Sequence, residues 1–515
     1  MEHSPREGSL AIARNAKARN KQSRKRKAGQ RKREANEVQN QVQNALKWLV
    51  EERIFIGISL HGNTSWQCVS LVCLVLLWVW STTPQLTEAF IDARCKAGKL
   101  LVPITITTYQ GLMKALVSAT PKLMPVLQIR MHDLMSKIGG KHMRIGRWVA
   151  IAIDGSKETA PRTVSNETAF RAKNYGQGKN AKNRKRKRPT MTKQAAAKQA
   201  AAKIKKVTAK AKQVAKPKSI SLPPPQVWLT MMWHMGLGLP WCWKLGPSNA
   251  SERHHVKEML GNCHFLEDTL FVADAGFVGY EFWKAITDRG HHFVVRVGAN
   301  VNLLTGLCTR QGGGKDIVYC WPQTTMNANE APLRLRLVKC KIGKNENVWL
   351  LTSVLDKREL SNTEMVQLYE RRWGVELQFR ALKQTFDRRK VRCRCSERVL
   401  VEIEWSIFGM AAVELMAIKE QMKNPDARPE KLSFSKALTA LRHSLNNLTD
   451  CPEFLEDLHS GLRGALIDSY DRRKLKPGRY KPKRKNNHSC GEPIIGLATT
   501  HQKERLREIE LQNAA

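Results

Sequence analysis

The chain alternates short, wholly apolar runs with longer segments whose apolar positions recur at helical spacing. Trp148-Val-Ala-Ile-Ala-Ile153 and Thr269-Leu-Phe-Val-Ala273 are such runs, closed by Asp154-Gly155-Ser156-Lys157 and Asp274-Ala275-Gly276-Phe277. Runs this short, ended by Asp-Gly or Asp-Ala-Gly, predict buried strands entering loops. Gln226–Thr230, Phe293–Val297, Asp316–Trp321, Leu333–Lys341 and Asn347–Val354 predict further strands. Cys68 to Trp80 is the most apolar stretch and predicts a buried helix ending near Thr83-Pro84. Its 13 residues fall short of the ~20 that a membrane span needs. Ser251–Leu260 reads as an amphipathic helix and 397–420 as a buried one. The 425–466 segment is amphipathic and offers a face that could pair protomers.

The segment Tyr369-Glu-Arg-Arg-Trp-Gly-Val-Glu-Leu-Gln-Phe-Arg-Ala-Leu-Lys383 carries the densest chemistry. On a regular helix, with ~100° per residue, Arg372 stands about −40°, Tyr369 about +20° and Lys383 about −20° from Glu376. The four groups share one stripe, while Val375, Phe379 and Leu382 can face a core. A carboxylate beside Arg, Lys and Tyr suits a divalent metal flanked by phosphate contacts. A salt-bridged, solvated helix would use the same residues. Asp154 and Asp274, each just past a buried strand, are placed where open α/β sheets carry their sites. Each could also be an ordinary turn aspartate.

The formal net charge is +43 and unevenly spread. Residues 1–34 contribute +9, residues 171–218 contribute +18 without one acid, and residues 472–485 contribute +9. Only +7 is left for the rest, so the folded body is mildly basic. Such runs bury no apolar area and are expected to be disordered without a polyanion. Within the insert, Lys193-Gln-Ala-Ala-Ala197 is repeated at Lys198–Ala202, with high helix propensity but no apolar stripe. A solvated tail, a membrane-surface patch or a nuclear-localisation run would also be this basic.

Other chemistries find little support. Twelve cysteines without a CxxC pair form no disulfide framework and fit a reducing, cytosolic protein. His254-His255 and His291-His292 lack partners at zinc-ligand spacing and read as structural. No Walker-type loop is present, so ATP is not implied. The N-terminus has no apolar stretch and does not read as a signal peptide.

The spacing Tyr-x2-Arg-x3-Glu-x6-Lys, preceded by two strand-end aspartates, resembles the Tyr-Arg-Glu-Lys signature of one group of bacterial DDE insertion-sequence transposases. Related blocks stand at Leu237–Trp241, Ser251–Arg253, Phe293–Arg296 and Trp349–Ser353, so the resemblance covers roughly 50–445. It implies an α/β fold: a ribonuclease-H-like catalytic core with a β-rich insertion, flanked by helical N- and C-terminal regions and basic disordered segments. The expected organisation is a basic arm 1–48, a helical region 49–145 and a first core part 146–297 containing a basic insert 171–225. A β-rich insertion 298–356, a second core part 357–424, a helical region 425–466 and a basic tail 467–515 follow. The insert is longer than the group's usual connection.

Two Mg²⁺ ions, with Mn²⁺ able to substitute, would be held by Asp154, Asp274 and Glu376. Asp154 is expected to bridge the ions, while Tyr369, Arg372 and Lys383 bind DNA phosphates. The resemblance implies an aromatic stacking on a flipped base; Trp321 is the candidate, or else it packs inside the insertion. It also implies reuse of the site by a DNA 3′-hydroxyl, a possible hairpin on the flanking ends, and a homodimer on double-stranded DNA comprising terminal inverted repeats and target. The setting expected is the bacterial cytoplasm, at the nucleoid, with no membrane partner. A metal-dependent DNA nuclease without strand transfer, or a non-catalytic DNA-binding protein, would share some of these features.

Overall fold

The computed structural model describes residues 36–61, 64–171, 224–307, 316–321, 330–342, 346–448, 457–468 and 490–514. Almost all of the three basic runs lies outside these residues, so the expectation of disorder there is left aside. The described residues begin with helix α1 (36–49), which buries Val38, Val42 and Leu46 although all but its last residue was assigned to the basic arm. Helices α2 (Cys68–Trp80), α3 (Leu86–Lys99) and α4 (Tyr109–Gly139) follow. Helix α2 spans the residues expected, and its Leu71–Trp80 segment is buried throughout. No described helix is long and apolar enough to cross a membrane.

A single mixed sheet then forms the spine. Its strands are β1 (Val149–Thr159), β2 (Gln226–His234), β3 (Leu239–Pro247), β4 (Thr269–Ala273) and β5 (His292–Val297). It continues through β6 (Asn302–Thr305), β7 (Ile317–Cys320), β8 (Leu333–Ile342), β9 (Glu346–Thr352) and β10 (Ile494–Leu497). The spatial order is β10-β6-β7-β8-β9-β5-β4-β1-β2-β3. Strand β2 runs antiparallel to both β1 and β3, whereas β4 is parallel to both β1 and β5. The β-rich insertion extends this sheet, because β9 pairs antiparallel with β5. Strand β10 was not anticipated: four residues within an assigned basic tail pair parallel with β6.

Helices α5 (Val164–Phe170), α6 (Glu252–Asn262) and α7 (Tyr280–Thr287) connect the strands. Ser251 starts α6 by accepting the His254 N–H, which fixes Glu252 as its first residue. The signature segment is less regular than a single helix. Helix α8 (Asn362–Arg371) opens on a Ser361–Glu364 capping box, and α9 (Trp373–Arg380) restarts after Arg372. A π-helical turn, Ala381–Thr385, then carries Lys383. The core-facing residues are those expected: Val375, Phe379 and Leu382 are buried. Gly374 marks a close approach, since a β-carbon there would stand 2.1 Å from the Trp233 ring on β2.

Helix α10 (Ser396–Gln421) is buried along most of its circumference and packs on α2, α4 and β3. Helices α11 (Phe434–Asn446) and α12 (Leu458–Arg463) lay their apolar residues against α10 and each other. The amphipathic face offered for protomer pairing is therefore consumed within the chain: Phe434, Leu438, Leu441 and Leu445 are buried. Helix α13 (Thr500–Ala514) closes the chain, with Leu506 packed in a small cluster with Leu307, Tyr319 and Ala498.

Candidate active site

The two aspartates emerge side by side because their strands are parallel neighbours. Ile153 of β1 is paired with Ala273 of β4, so Asp154 and Asp274 follow at the same level of the sheet. Each is oriented in the same way. Asp154 Oδ1 accepts the Gly155 N–H at 2.8 Å, and Asp274 Oδ1 accepts the Gly276 N–H at 2.8 Å.

Glu376 reaches this edge from α9, and Arg372 ties it there. The Arg372 guanidinium lies 3.2 Å from Glu376 Oε1 and 3.5 Å from Asp154 Oδ2. Its side chain is only 6% exposed, and its Nε and Nη1 lack a hydrogen-bond partner among the described residues. A buried cation facing two carboxylates offsets part of their mutual repulsion. Burial raises the Asp154 pKa to about 6, and the charges of Asp274 and Glu376 push the same way. The Gly155 N–H and Arg372 oppose that shift. Asp274 and Glu376 thus both lie within electrostatic reach of Asp154.

A fourth carboxylate faces the same space and was missed by sequence reasoning. Glu252 Oε1 lies so close to Gly155 that a β-carbon there would stand 1.9 Å from it. Its Oε2 would stand 3.9 Å from a β-carbon at Gly276. Glu252 thus lies between β1 at Gly155 and the loop that follows β4. Burial raises its pKa, as do Asp154 and then Asp274. Only the Ser251-Glu252-Arg253 block hinted at it, and an acid in a first helical turn is ordinarily a capping residue.

The remaining signature residues are more enclosed than a phosphate-binding stripe suggests. Tyr369 is buried beneath the guanidinium of Arg372, 5.6 Å from its ring centre. Burial raises its pKa, while Arg372 and a hydrogen bond with Arg296 oppose the rise. Lys383 turns onto β1, donating to Ser156 Oγ at 2.7 Å and Lys157 O at 3.0 Å. It also lies 3.5 Å from the buried carboxylate of Glu158.

Trp321 stands at the end of β7, half-buried against the small Leu307–Tyr319 cluster. It lines a cavity of about 520 Å³ together with Ala275, Gly276, Tyr280 and Asn300. That cavity begins at the loop following Asp274, so both packing and an open face coexist at Trp321. Trp349 is half-buried, with the Lys339 ammonium 5.1 Å from its ring centre. His255 bonds the buried Thr230 hydroxyl at 2.9 Å, and His292 lies 3.3 Å from Ser353 Oγ.

The donor set consists of carboxylate oxygens, the hard ligands that Mg²⁺ and Mn²⁺ prefer. Among the described residues no three His, Cys, Asp or Glu side chains are drawn close enough to hold an ion as they stand. The carboxylates face one another with Arg372 as their present countercharge.

Residues 229–409 match the family described as "Transposase DDE domain". This span contains Asp274 and Glu376, while Asp154 precedes it. The chain is 28% identical over 229 residues to "Transposase InsG for insertion sequence element IS4" of Escherichia coli (strain K12). That match covers 40% of this chain and 49% of the relative, so the chain spans about half the length of the curated protein it resembles. A cryo-EM structure of "piggyBac transposase synaptic complex with hairpin DNA" superposes with a TM-score of 0.37 at 12% identity. It covers 84% of each chain, a superposition too loose to align sites.

Proposed function

We infer that this chain, which carries a DDE-type transposase domain, is a DNA transposase that cuts the ends of an insertion sequence and joins them to target DNA. The reading is supported by Asp154 and Asp274 standing side by side on two adjacent parallel strands, and by Arg372, which joins Asp154 to Glu376 on the facing helix. The sheet order supports a ribonuclease-H-like core: β3-β2-β1 antiparallel, followed by β4 and β5 parallel to β1.

Asp154, Asp274 and Glu376 would hold two divalent ions, Mg²⁺ or Mn²⁺. When bound, such ions supply an activated attacking oxygen and neutralise the leaving one. The chain's own groups do the rest. Arg372 joins Asp154 to Glu376 in the free protein and sets a positive charge beside them that a DNA phosphate could share. Tyr369 supports the guanidinium from below, and Lys383 supplies a second positive charge at the end of β1. The Trp321 cavity, opening beside Asp274, has the volume and an aromatic wall for an unstacked base. The basic runs supply sequence-independent attraction for double-stranded DNA. Joining two ends to one target calls for two copies of the chain on DNA, in the bacterial cytoplasm at the nucleoid.

The test uses Glu376→Gln, which keeps size and helix propensity but removes the charge. With DNA taken from the flanks of its own gene, Mg²⁺-dependent strand cleavage and joined products are expected to disappear. DNA binding is expected to stay or tighten slightly. Cleavage equal to the parent's would overturn the reading. Cleavage without joined products from the unmodified chain would reduce it to a nuclease.

A further inference from the structure

Strand β1 does not stop at the proposed catalytic aspartate. It runs five residues further, to Thr159, paired with β2 throughout. Successive side chains of a strand alternate faces, so Asp154, Ser156 and Glu158 share one face. Glu158 is 0% exposed, and neither carboxylate oxygen has a hydrogen-bond partner among the described residues. A buried carboxylate without hydrogen bonds is costly, and it persists as an anion only with a countercharge. That countercharge is Lys383 Nζ, 3.5 Å from Glu158 Oε1. Burial pushes the Glu158 pKa up to about 7, against the pull of Lys383.

The ammonium has three donors. Two are spent on Ser156 Oγ and Lys157 O. The third is left between Glu158 and solvent, the lysine side chain being 26% exposed. The π-helical turn brings the lysine to this place.

We propose that Glu158 is a positioning residue acting through Lys383: it holds the ammonium at the end of β1, on the face of Asp154, so that the remaining donor meets a DNA phosphate beside the cleavage position. The proposal rests on the transposase reading and deepens it. A lysine on a four-carbon stem is a mobile point charge. Anchoring it exchanges some affinity for placement, because Glu158 also repels the phosphate.

The experiment compares the full chain with Glu158→Gln, Glu158→Asp, Lys383→Ala and the Glu158→Gln/Lys383→Ala pair. Glu158→Gln is expected to bind DNA as tightly as the parent or more so, while cleavage slows on the order of ten-fold through misplacement. Glu158→Asp, which keeps the charge on a shorter stem, is expected to recover part of that rate. In the Lys383→Ala background, Glu158→Gln is expected to add nothing. A second readout needs no catalysis: the rate at which an amine-acylating reagent modifies Lys383 in DNA-free protein, followed by mass spectrometry. It is expected to rise several-fold in Glu158→Gln while other lysines react as before.

Parent-like cleavage with unchanged Lys383 acylation would overturn the proposal. So would additive losses in the double variant, or a uniform rise in acylation at all lysines, which would mark a loosened fold. If Glu376→Gln also cleaves like the parent, the transposase reading falls. The acylation rate then still decides whether Glu158 holds Lys383.

Discussion

The two halves of the ten-stranded sheet use their side chains differently. In the inner half, β4 and the first five residues of β1 are buried on both faces. A strand covered on both faces can offer polar groups only where that cover ends; Asp274 follows the last residue of β4, and Asp154 is the first residue of β1 beyond its fully buried stretch. In the outer half, β8 buries only its middle, Leu335–Val338, with the Arg336 guanidinium among the apolar residues, and exposes Arg334, Lys339 and Lys341 on either side. Strand β10 leaves Ile494 and Leu497 in solvent at the sheet's edge.

Substitutions should separate the halves. Phe271 is fully buried on β4 and stacked edge-on against Phe265. Phe271→Ala is expected to cost about 3–5 kcal/mol in a denaturant titration. A loss of under about 1 kcal/mol would mean that the inner half is not the cooperative centre. Gly374→Ala tests the contact between the signature segment and β2. A β-carbon 2.1 Å from the Trp233 ring must displace it, at an overpacking cost of roughly 1–3 kcal/mol. Cleavage should fall as well, since Glu376 lies on the same helix.

The third test concerns Glu414, buried on α10 and accepting from Gln378 of α9 at 2.8 Å. Burial raises its pKa to about 8. Folded chains keep the proton where unfolded chains release it. Its stabilising contribution is thus fully present below the ordinary carboxyl pKa of 4.5 and is lost as pH rises towards about 8. Glu414→Gln is expected to flatten that part of the decline in thermal stability. An unchanged pH profile would show that other groups set it. The smallest effect is expected at Leu497, 74% exposed on β10. Leu497→Ser should change stability by less than about 0.5 kcal/mol, and a larger loss would give the outer edge a role in the fold.

The inner half was largely legible because its signals are local. An apolar run closed by Asp-Gly names the buried part of the strand and the aspartate that follows it, as at Ile153-Asp154, but not the strand's end: β1 was expected to stop there and instead continues to Thr159, because β2 pairs with it that far. Helix α2 and helix α10 were bounded within a residue for the same reason. What escaped depends on distant parts of the chain. Glu252 meets Asp154 only because α6 folds back over Gly155, and nothing in its own neighbourhood says so. Strand β10 has only four residues and exists by pairing with β6, almost two hundred positions earlier. The break at Arg372 and the π-helical turn are deviations from regular spacing that a uniform 3.6-residue count cannot express.

That turn alters what spacing means in this segment. The Phe386 N–H reaches back five residues to Ala381 O, so one turn here holds more residues than its neighbours do. The interval between Glu376 and Lys383 is therefore set by a gauge rather than by a helix. Removing one residue from 381–385 would let the backbone relax to ordinary winding and would swing Lys383 away from Ser156. The length of the segment, to a single residue, is as much a part of the site as the charges it carries.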